Sequence, residues 1–294
     1  MFREVIAQPA AEGPVVLCMR TATALLITAL LGTSIASAAP TTEALQTRAA
    51  ELAKQLKGQG FTVTVTAPFV VVGDESATKV RSRVNFVDWV VRLIEKDYFD
   101  KQPEKILVIW LFRNINTYKA GAKKFFDDTP ETPYGYYSSD DNALIMNIGP
   151  GAGTLSHELV HPYIEANFPD APSWFNEGLA SLYEQPRERD GHMWGTTNWR
   201  LPGLTEMIKK KTLPSLKTLL STSRESFYEA EFDAYAYARF LCQYLQDKGK
   251  LREFYRAFVA DKDHSGVTSL EKILGKSLED FQPEFNKWAL SLRR

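Results

Sequence analysis

The sequence is poor in cysteine and histidine, the residue types that form disulfides and bind metal clusters. Of its 294 residues, only 2 are cysteine and 4 are histidine. If the N-terminal leader described below is removed, Cys18 is lost and Cys242 remains alone. One cysteine cannot form an internal disulfide, so the fold must depend on its hydrophobic core, with Cys242 expected as a buried residue on a helix.

The chain also lacks a charge bias. Its 35 basic and 36 acidic residues are interspersed and give a net charge of −1. No basic stripe predicts nucleic-acid binding, and no run of like charges predicts a disordered arm. Internal repeats and low-complexity tracts are missing too. With 44% hydrophobic and 24% charged residues, the composition indicates a globular protein with one large core or two smaller packed parts.

Long hydrophobic runs are missing except near the N-terminus. The segment that starts at Met19 contains Arg20, then an apolar stretch over 22–31, then small residues ending at Ala38. This order is typical of a secretory signal peptide cleaved after Ala38, with residues 1–18 an extension. A permanent membrane anchor is the alternative, although the stretch is short for a bilayer. We therefore expect an exported protein, periplasmic or secreted, without a stable membrane span after cleavage.

Hydrophobic patterning predicts an α/β part followed by a helical part. Alternating or continuous apolar runs predict strands at 61–65, 69–72, 106–112, 135–138 and 143–148. Apolar residues at helical spacing predict helices at 44–56, 80–99, 117–126, 154–166, 173–184, 225–246, 250–260 and 278–292. The predicted fold class is α+β, a small mixed β-sheet with helices and then an α-helical subdomain. The expected division is 1–38 for the extension and leader, 41–203 for the α/β part and 204–294 for the helical subdomain.

Two of the four histidines lie in the motif HELVH, which runs from His157 to His161. Residues four apart share one face of a helix, so both imidazoles can bind one metal ion at roughly 2 Å. Glu158 lies beside the first histidine and would face a metal-bound water, whose proton it can accept as a general base. The alternative is a pair of ordinary helical histidines.

A second motif, WFNEGLA, follows after a turn. Its Glu177 lies sixteen residues after His161, beyond a proline-containing turn at 168–172. A catalytic zinc needs three protein ligands and one open position. Two antiparallel helices joined by this turn can return Glu177 to the histidines, and Gly178 would permit close helix approach. We therefore expect one zinc ion per chain, held by His157, His161 and Glu177.

At these two motifs the chain resembles the gluzincins, the thermolysin-like and aminopeptidase-like zinc peptidases. It is most similar to small peptidase-MA-like proteins that carry W-x-x-E-G-x-A. The resemblance implies a zincin-like fold with the active-site helix at the junction of the two parts. It also implies a zinc-dependent metallopeptidase acting on a peptide or protein substrate, with His157, His161 and Glu177 as zinc ligands and Glu158 as the general base.

The resemblance implies two further elements of the site. The strand at 143–148 matches the edge strand along which such enzymes bind an extended peptide. Tyr235, in the run YAYA, matches a tyrosine that stabilises the oxyanion of the tetrahedral intermediate. The apolar stripe of the predicted helix includes Tyr235 but not Tyr237, so we expect Tyr235 to face inward. A plain core aromatic is the alternative for Tyr235.

Two positions depart from the family pattern. Pro162 directly follows the second histidine and predicts a kinked or loosened helix that re-aims His161. Ser181 stands where thermolysin-like members carry an acidic residue that orients a ligand histidine. Glu165 or Asp233 would have to supply that contact.

The sequence assigns no single role to the remaining histidines or to the tryptophan-rich segment. His192 and His264 lie in polar, glycine-bearing loops and are expected to face solvent. The segment from Trp194 to Trp199 is either a lid over the substrate or a packing loop. Two alternatives to a peptidase remain: a non-catalytic zinc scaffold that binds a peptide or protein partner in the cell envelope, and a metal-free interaction module. Endo- or exopeptidase action and the oligomeric state stay open.

Overall fold

The computed structural model describes residues 39–262 and 264–293. The predicted extension, leader and cleavage site over 1–38 lie outside the described residues. These described residues form one compact unit. Within the described residues, none of the helices combines the length and the apolar character needed to cross a membrane.

A five-stranded mixed sheet forms the N-terminal part, in the order β1-β2-β3-β5-β4. Its strands are β1 (Thr62–Thr66), β2 (Phe69–Gly73), β3 (Leu107–Phe112), β4 (Gly135–Ser138) and β5 (Ala143–Asn147). The three inner strands are parallel, and both edge strands pair antiparallel to their neighbours. Every residue of the inner strands is buried. They read as continuous apolar runs because both faces of the sheet are covered.

Twelve helices complete the described part of the chain. They are α1 (Thr42–Gln55), α2 (Ala77–Asp97), α3 (Ile115–Phe126), α4 (Gly153–Asn167), α5 (Ser173–Leu182), α6 (Leu201–Lys210), α7 (Leu216–Leu220), α8 (Arg224–Tyr228), α9 (Ala234–Asp247), α10 (Leu251–Val259), α11 (Val267–Leu274) and α12 (Leu278–Ser291). The α+β class with a small mixed sheet is confirmed. The patterning missed α6, α7 and α11, and it merged α8 with α9, which are separate because the Asp233 side chain caps α9.

The two faces of the sheet carry separate cores. Along β3, Leu107, Ile109 and Leu111 belong to one core, and Val108, Trp110 and Phe112 belong to the other. This division follows from the alternation of side chains along a strand. Helices α1 and α3 cover the second face, while α2, α4 and the C-terminal helices pack on the first.

Helix α9 lies at the centre of the helical part, packed most extensively against α5. Close approach is possible because α5 carries Gly178 at the contact. A Cβ atom on Gly178 would lie 3.0 Å from the backbone carbon and oxygen of Ala238. Cys242 lies on α9 and is buried, as predicted.

A short hairpin follows α5. It pairs β6 (Pro186–Arg189) with β7 (His192–Gly195). Residues 190 and 191 adopt positive φ at the turn, which an aspartate and a glycine tolerate. The hairpin orders the chain that leads towards Trp199 and α6.

Candidate metal centre

Helix α4 brings three of the predicted site residues together. His157, Glu158 and His161 each offer a ligand atom within 4.8 Å of the others, and the two histidine rings are 4.9 Å apart between centroids. His157 and Glu158 are buried, and His161 is half-buried. The spacing of four residues therefore puts both imidazoles on one helix face, as expected.

Glu177 reaches this group from α5, through His157. Its Oε2 atom lies 3.2 Å from Nε2 of His157, although it stands outside the tight group on α4. The hydroxyl of Tyr228 donates a hydrogen bond of 2.7 Å to the other carboxylate oxygen, Oε1. One oxygen of Glu177 is therefore held and the other is directed at the histidine.

Pro162 lies inside helix α4. Helix α4 continues past Pro162 to Asn167 rather than ending there. His161 is steadied by a contact from α5, because its Nδ1 atom lies 2.8 Å from the Oδ1 atom of Asn176. This contact leaves Nε2 of His161 directed towards the carboxylate of Glu158, 3.8 Å away.

The acidic partner of His157 is Glu184, a residue the sequence analysis did not consider for this role. Its Oε1 atom lies 3.6 Å from Nδ1 of His157. Arg200 binds this carboxylate through two atoms, Nη2 at 2.7 Å and Nε at 3.0 Å, and the amide of Asn198 adds a bond of 2.8 Å. The available signal was the spacing of seven from Glu177, which puts both glutamates on one face of the predicted helix.

The two candidates named for that role have other partners. Glu165 accepts a hydrogen bond of 2.8 Å from the Tyr137 hydroxyl. Asp233 accepts a bond of 2.9 Å from the backbone N–H of Ala236 at the start of α9. Neither makes the predicted contact with His157, because the chain turns after α5 and brings Glu184 closer.

Two buried atoms at the site lack hydrogen-bond partners. They are Nδ1 of His157 and Oε2 of Glu177, two of the four such side-chain atoms in the described residues. The contact of Oε2 with Nε2 of His157 is an ion-pair contact of 3.2 Å. Buried polar atoms nearly always find a partner, so an orphaned carboxylate oxygen needs an explanation. Two imidazoles and one carboxylate form a donor set that suits zinc, and a metal ion would satisfy the Glu177 oxygen.

The pKa values of the two buried carboxyl groups, Glu158 and Glu177, are shifted in opposite directions. Burial raises the pKa of Glu158 to about 7, an effect opposed by His161 and reinforced by the negative charge of Glu177. Burial alone would also raise the pKa of Glu177, but His161, His157 and Tyr228 outweigh it and lower this pKa to about 2. At neutral pH one carboxyl is a fixed anion and the other can exchange a proton, which is the division of roles that acid–base catalysis needs.

Tyr235 faces the same cleft as the metal-binding group. It lines a cavity of about 730 Å³ together with His157, Glu158 and Glu177. It is half-buried, whereas Tyr237 is fully buried and hydrogen-bonds Gln282 at 2.9 Å, so the expectation that Tyr237 faces away from the core is wrong. Tyr237 is buried because α9 is surrounded on nearly all sides.

The edge of the sheet at the site is β4, not β5. Strand β5 (Ala143–Asn147) lies between β3 and β4 and pairs with both, so the prediction that 143–148 forms the edge is wrong. Local alternation cannot distinguish an inner from an outer strand, because the order of strands depends on long-range pairing. The backbone N–H of Tyr137, on β4, lowers the pKa of Glu158, so the edge strand comes close to the base.

The other two histidines lie away from the cluster. His192 is half-buried, and its Nδ1 atom lies 2.5 Å from a carboxylate oxygen of the buried Asp97. His264 packs its ring edge-on against Phe168, with centroids 5.4 Å apart. In the tryptophan-rich segment, Trp199 is 56% exposed and lines a second cavity beside Glu158.

Comparison with known proteins gives no match, either among protein-family models or among curated proteins. A function for this chain therefore rests on the residues of the site and on their geometry.

Proposed function

We propose that the protein is a zinc-dependent metallopeptidase of the gluzincin type, with a zincin-like arrangement of sheet and active-site helix. The observation that carries the proposal is the buried group of His157, Glu158 and His161, with the orphaned carboxylate oxygen of Glu177 beside it. One zinc ion per chain would be held by His157, His161 and Glu177. When bound, zinc acts as a Lewis acid that polarises a carbonyl group and lowers the pKa of water.

The remaining steps belong to residues of the chain. Glu158, buried beside the two histidines, accepts the proton of the attacking water and delivers it to the leaving amine. Asn176 orients His161 through its Nδ1 atom, and the carboxylate of Glu184, 3.6 Å from Nδ1 of His157, puts a negative charge behind that ring. Burial raises the pKa of Tyr235, so its hydroxyl stays protonated and can donate to the oxyanion.

The edge strand β4 supports a peptide as the substrate. An edge strand has unpaired backbone groups, and an extended peptide can pair with them as an added strand. Tyr136, Tyr137 and Ser139 line the same cavity as the metal-binding group. A peptide paired along β4 would therefore pass its backbone close to Glu158. The leader-like segment at 1–38 supports export, to the periplasm or the medium.

The first experiment measures the zinc content of the purified protein by elemental mass spectrometry, beside a His157→Ala variant. We expect about one zinc ion per chain in the parent and a loss in the variant. His192→Ala is the matched control, because His192 pairs with Asp97 and lies outside the cluster. A parent protein without zinc after growth in zinc-replete medium would refute the proposal.

Turnover is tested separately with peptide libraries and a Glu158→Gln variant. The variant is expected to keep its zinc, because Glu158 is not a proposed ligand, and to lose hydrolysis. Zinc binding with no hydrolysis by the parent would point to the alternative, a non-catalytic scaffold that binds a peptide or protein partner. Hydrolysis that persists in Glu158→Gln would refute the assigned role of this residue.

A further inference from the structure

Strand β1 forms the edge of the sheet on the side away from the metal centre. The other edge is β4, which lines the metal cleft. Within the described residues, the backbone hydrogen bonds of β1 go to β2 alone. In an antiparallel ladder, alternate N–H and C=O groups point to each side of a strand. The groups on the outer side of β1 are therefore free to pair with a further strand.

The edge at β1 carries none of the usual features that protect an edge strand. Such edges are commonly blocked by a charged residue, a proline or a bulge. β1 reads Thr-Val-Thr-Val-Thr, and its register with β2 runs without a bulge from Thr62↔Gly73 to Thr66↔Phe69. Its first four residues are half-buried rather than covered. All five residues are β-branched, which favours pairing with another strand.

The sequence of β1 reads the same in both directions from Thr64. Two copies of the strand, paired antiparallel about Thr64, place Thr62 opposite Thr66 and Val63 opposite Val65. The threonines of both copies then share one face of the sheet, and the valines share the other. Thr–Thr pairs directly opposite each other are favourable. Both valines pack on the core beneath α1, so the pairing would join the two cores on this face.

Helix α2 carries two charges that match in the same arrangement. Asp88 accepts a hydrogen bond from the Thr66 hydroxyl, so this face of α2 lies beside β1. Arg81 lies seven residues earlier on the same helix face, and both residues are exposed. The first turn of α2 packs against Gly73, the partner of Thr62, so Arg81 lies at the opposite end of β1 from Asp88. Antiparallel pairing of two copies would therefore put each Arg81 beside the other copy's Asp88.

Arg81 is available for such a contact. Glu75, the acidic residue that precedes α2, pairs with Lys79 at 3.6 Å and with Arg83 at 3.2 Å. The guanidinium group of Arg81 contacts the Thr78 hydroxyl at 3.3 Å, and among the described residues it has no carboxylate partner. A carboxylate supplied by a second copy would complement its charge.

We infer that the protein forms a two-fold symmetric homodimer, in which two copies of β1 pair antiparallel about Thr64 and extend the sheet to ten strands. Helices α1 and α2 pack on β1 and contribute to the contact. The contact is about 17 Å long and about 30 Å deep, so it buries roughly 500 Å² on each copy. A stable complex buries about 800 Å² per partner, so we expect a weak dimer with a dissociation constant on the order of 10 µM. The metal clefts, at the opposite edges, stay open.

The first test is sedimentation velocity of the purified protein at concentrations around the expected dissociation constant. The parent should change from monomer to dimer. Arg81→Asp and Asp88→Arg should each weaken the dimer about tenfold, because like charges then meet across the two-fold axis. An equimolar mixture of the two variants should associate again, because each acidic side chain then meets an arginine. Arg256→Asp is the matched control, with the same change at an exposed arginine on α10 of the helical part.

The second test examines the register of the two strands. Thr64 is the one position of β1 that lies opposite its own copy, so Thr64→Cys should give a disulfide-linked dimer on oxidation. Thr62→Cys alone should not, whereas a mixture of Thr62→Cys and Thr66→Cys should. Non-reducing electrophoresis measures the cross-linked fraction. The parent is the blank, because its own cysteines are present in every variant and Cys242 is buried.

Three results overturn the inference. They are a parent that stays monomeric at every concentration, a dimer that Arg81→Asp leaves unchanged, and equal cross-linking by Thr62→Cys alone and by Thr64→Cys. An edge that pairs with a strand of another protein instead of its own copy would give the first of these results. Far-UV circular dichroism checks that each variant is folded. Neither test involves zinc or hydrolysis, so the outcome is independent of the proposed function.

Discussion

Replacing Glu158 with glutamine should stabilise the metal-free protein at neutral pH. The carboxyl is buried, and its pKa rises from 4.5 in the unfolded chain to about 7 in the fold. Below pH 4.5 the group is protonated in both states and contributes no charge penalty. As the pH rises from 4.5 to 7, the unfolded chain releases its proton first, so the free energy of unfolding falls.

The size of this effect follows from the two pKa values. A shift of one unit corresponds to about 1.4 kcal/mol, so a rise from 4.5 to about 7 costs about 3 kcal/mol once Glu158 is ionised. Glutamine keeps the shape of the protonated carboxyl and cannot ionise. The variant and the parent should therefore have similar free energies of unfolding near pH 4, and the variant should be about 3 kcal/mol more stable near pH 8.

Urea unfolding in the presence of a chelator, followed by tryptophan fluorescence from pH 4 to pH 8, measures this difference. Groups far from Glu158 contribute equally to both proteins, so the difference between them reports on Glu158 and its neighbours. Glu165→Gln is the matched control, because it makes the same substitution at an exposed position of the same helix. A Glu158→Gln difference that does not grow between pH 4.5 and 7 would refute the reasoning.

Two further predictions concern the support of the site. Arg200→Lys removes the two-atom contact that fixes Glu184 beside His157. Zinc affinity should therefore fall about tenfold in a competition titration with a chelating dye. An unchanged affinity would show that Glu184 does not position the histidine. Gly178→Val puts a side chain where even a Cβ atom lies 3.0 Å from the Ala238 backbone, so urea unfolding should report a loss of about 3 kcal/mol or a failure to fold. Unchanged stability would mean that α5 and α9 can separate without loss.

Much of the architecture follows from local patterns. Continuous apolar runs predicted β2, β3 and β5 because the inner strands are buried on both faces. Helical periodicity located α1 to α5 within a few residues, because each of these helices has a face that packs on a core. Shorter helices such as α7 span barely one turn, too short for a periodic pattern to emerge.

Other features depend on contacts between segments that are distant in sequence. The position of β5 inside the sheet depends on β4 pairing along its outer side. The burial of Tyr237 depends on α9 being surrounded by other helices. Local periodicity carries no information on either arrangement, so the predictions of an edge strand and a one-sided helix were wrong.

In the candidate site, too, some features follow from local sequence and others from long-range contacts. The sequence by itself determined that His157 and His161 share one helix face and that Glu158 lies one turn before His161, because the pitch of the α-helix brings residues three or four apart together. Only the tertiary structure decided which groups surround that face, including Glu184 with Arg200 behind His157 and Tyr228 beside Glu177. Helix geometry acts over a few residues, whereas these contacts require chain segments far apart in sequence to pack against one another.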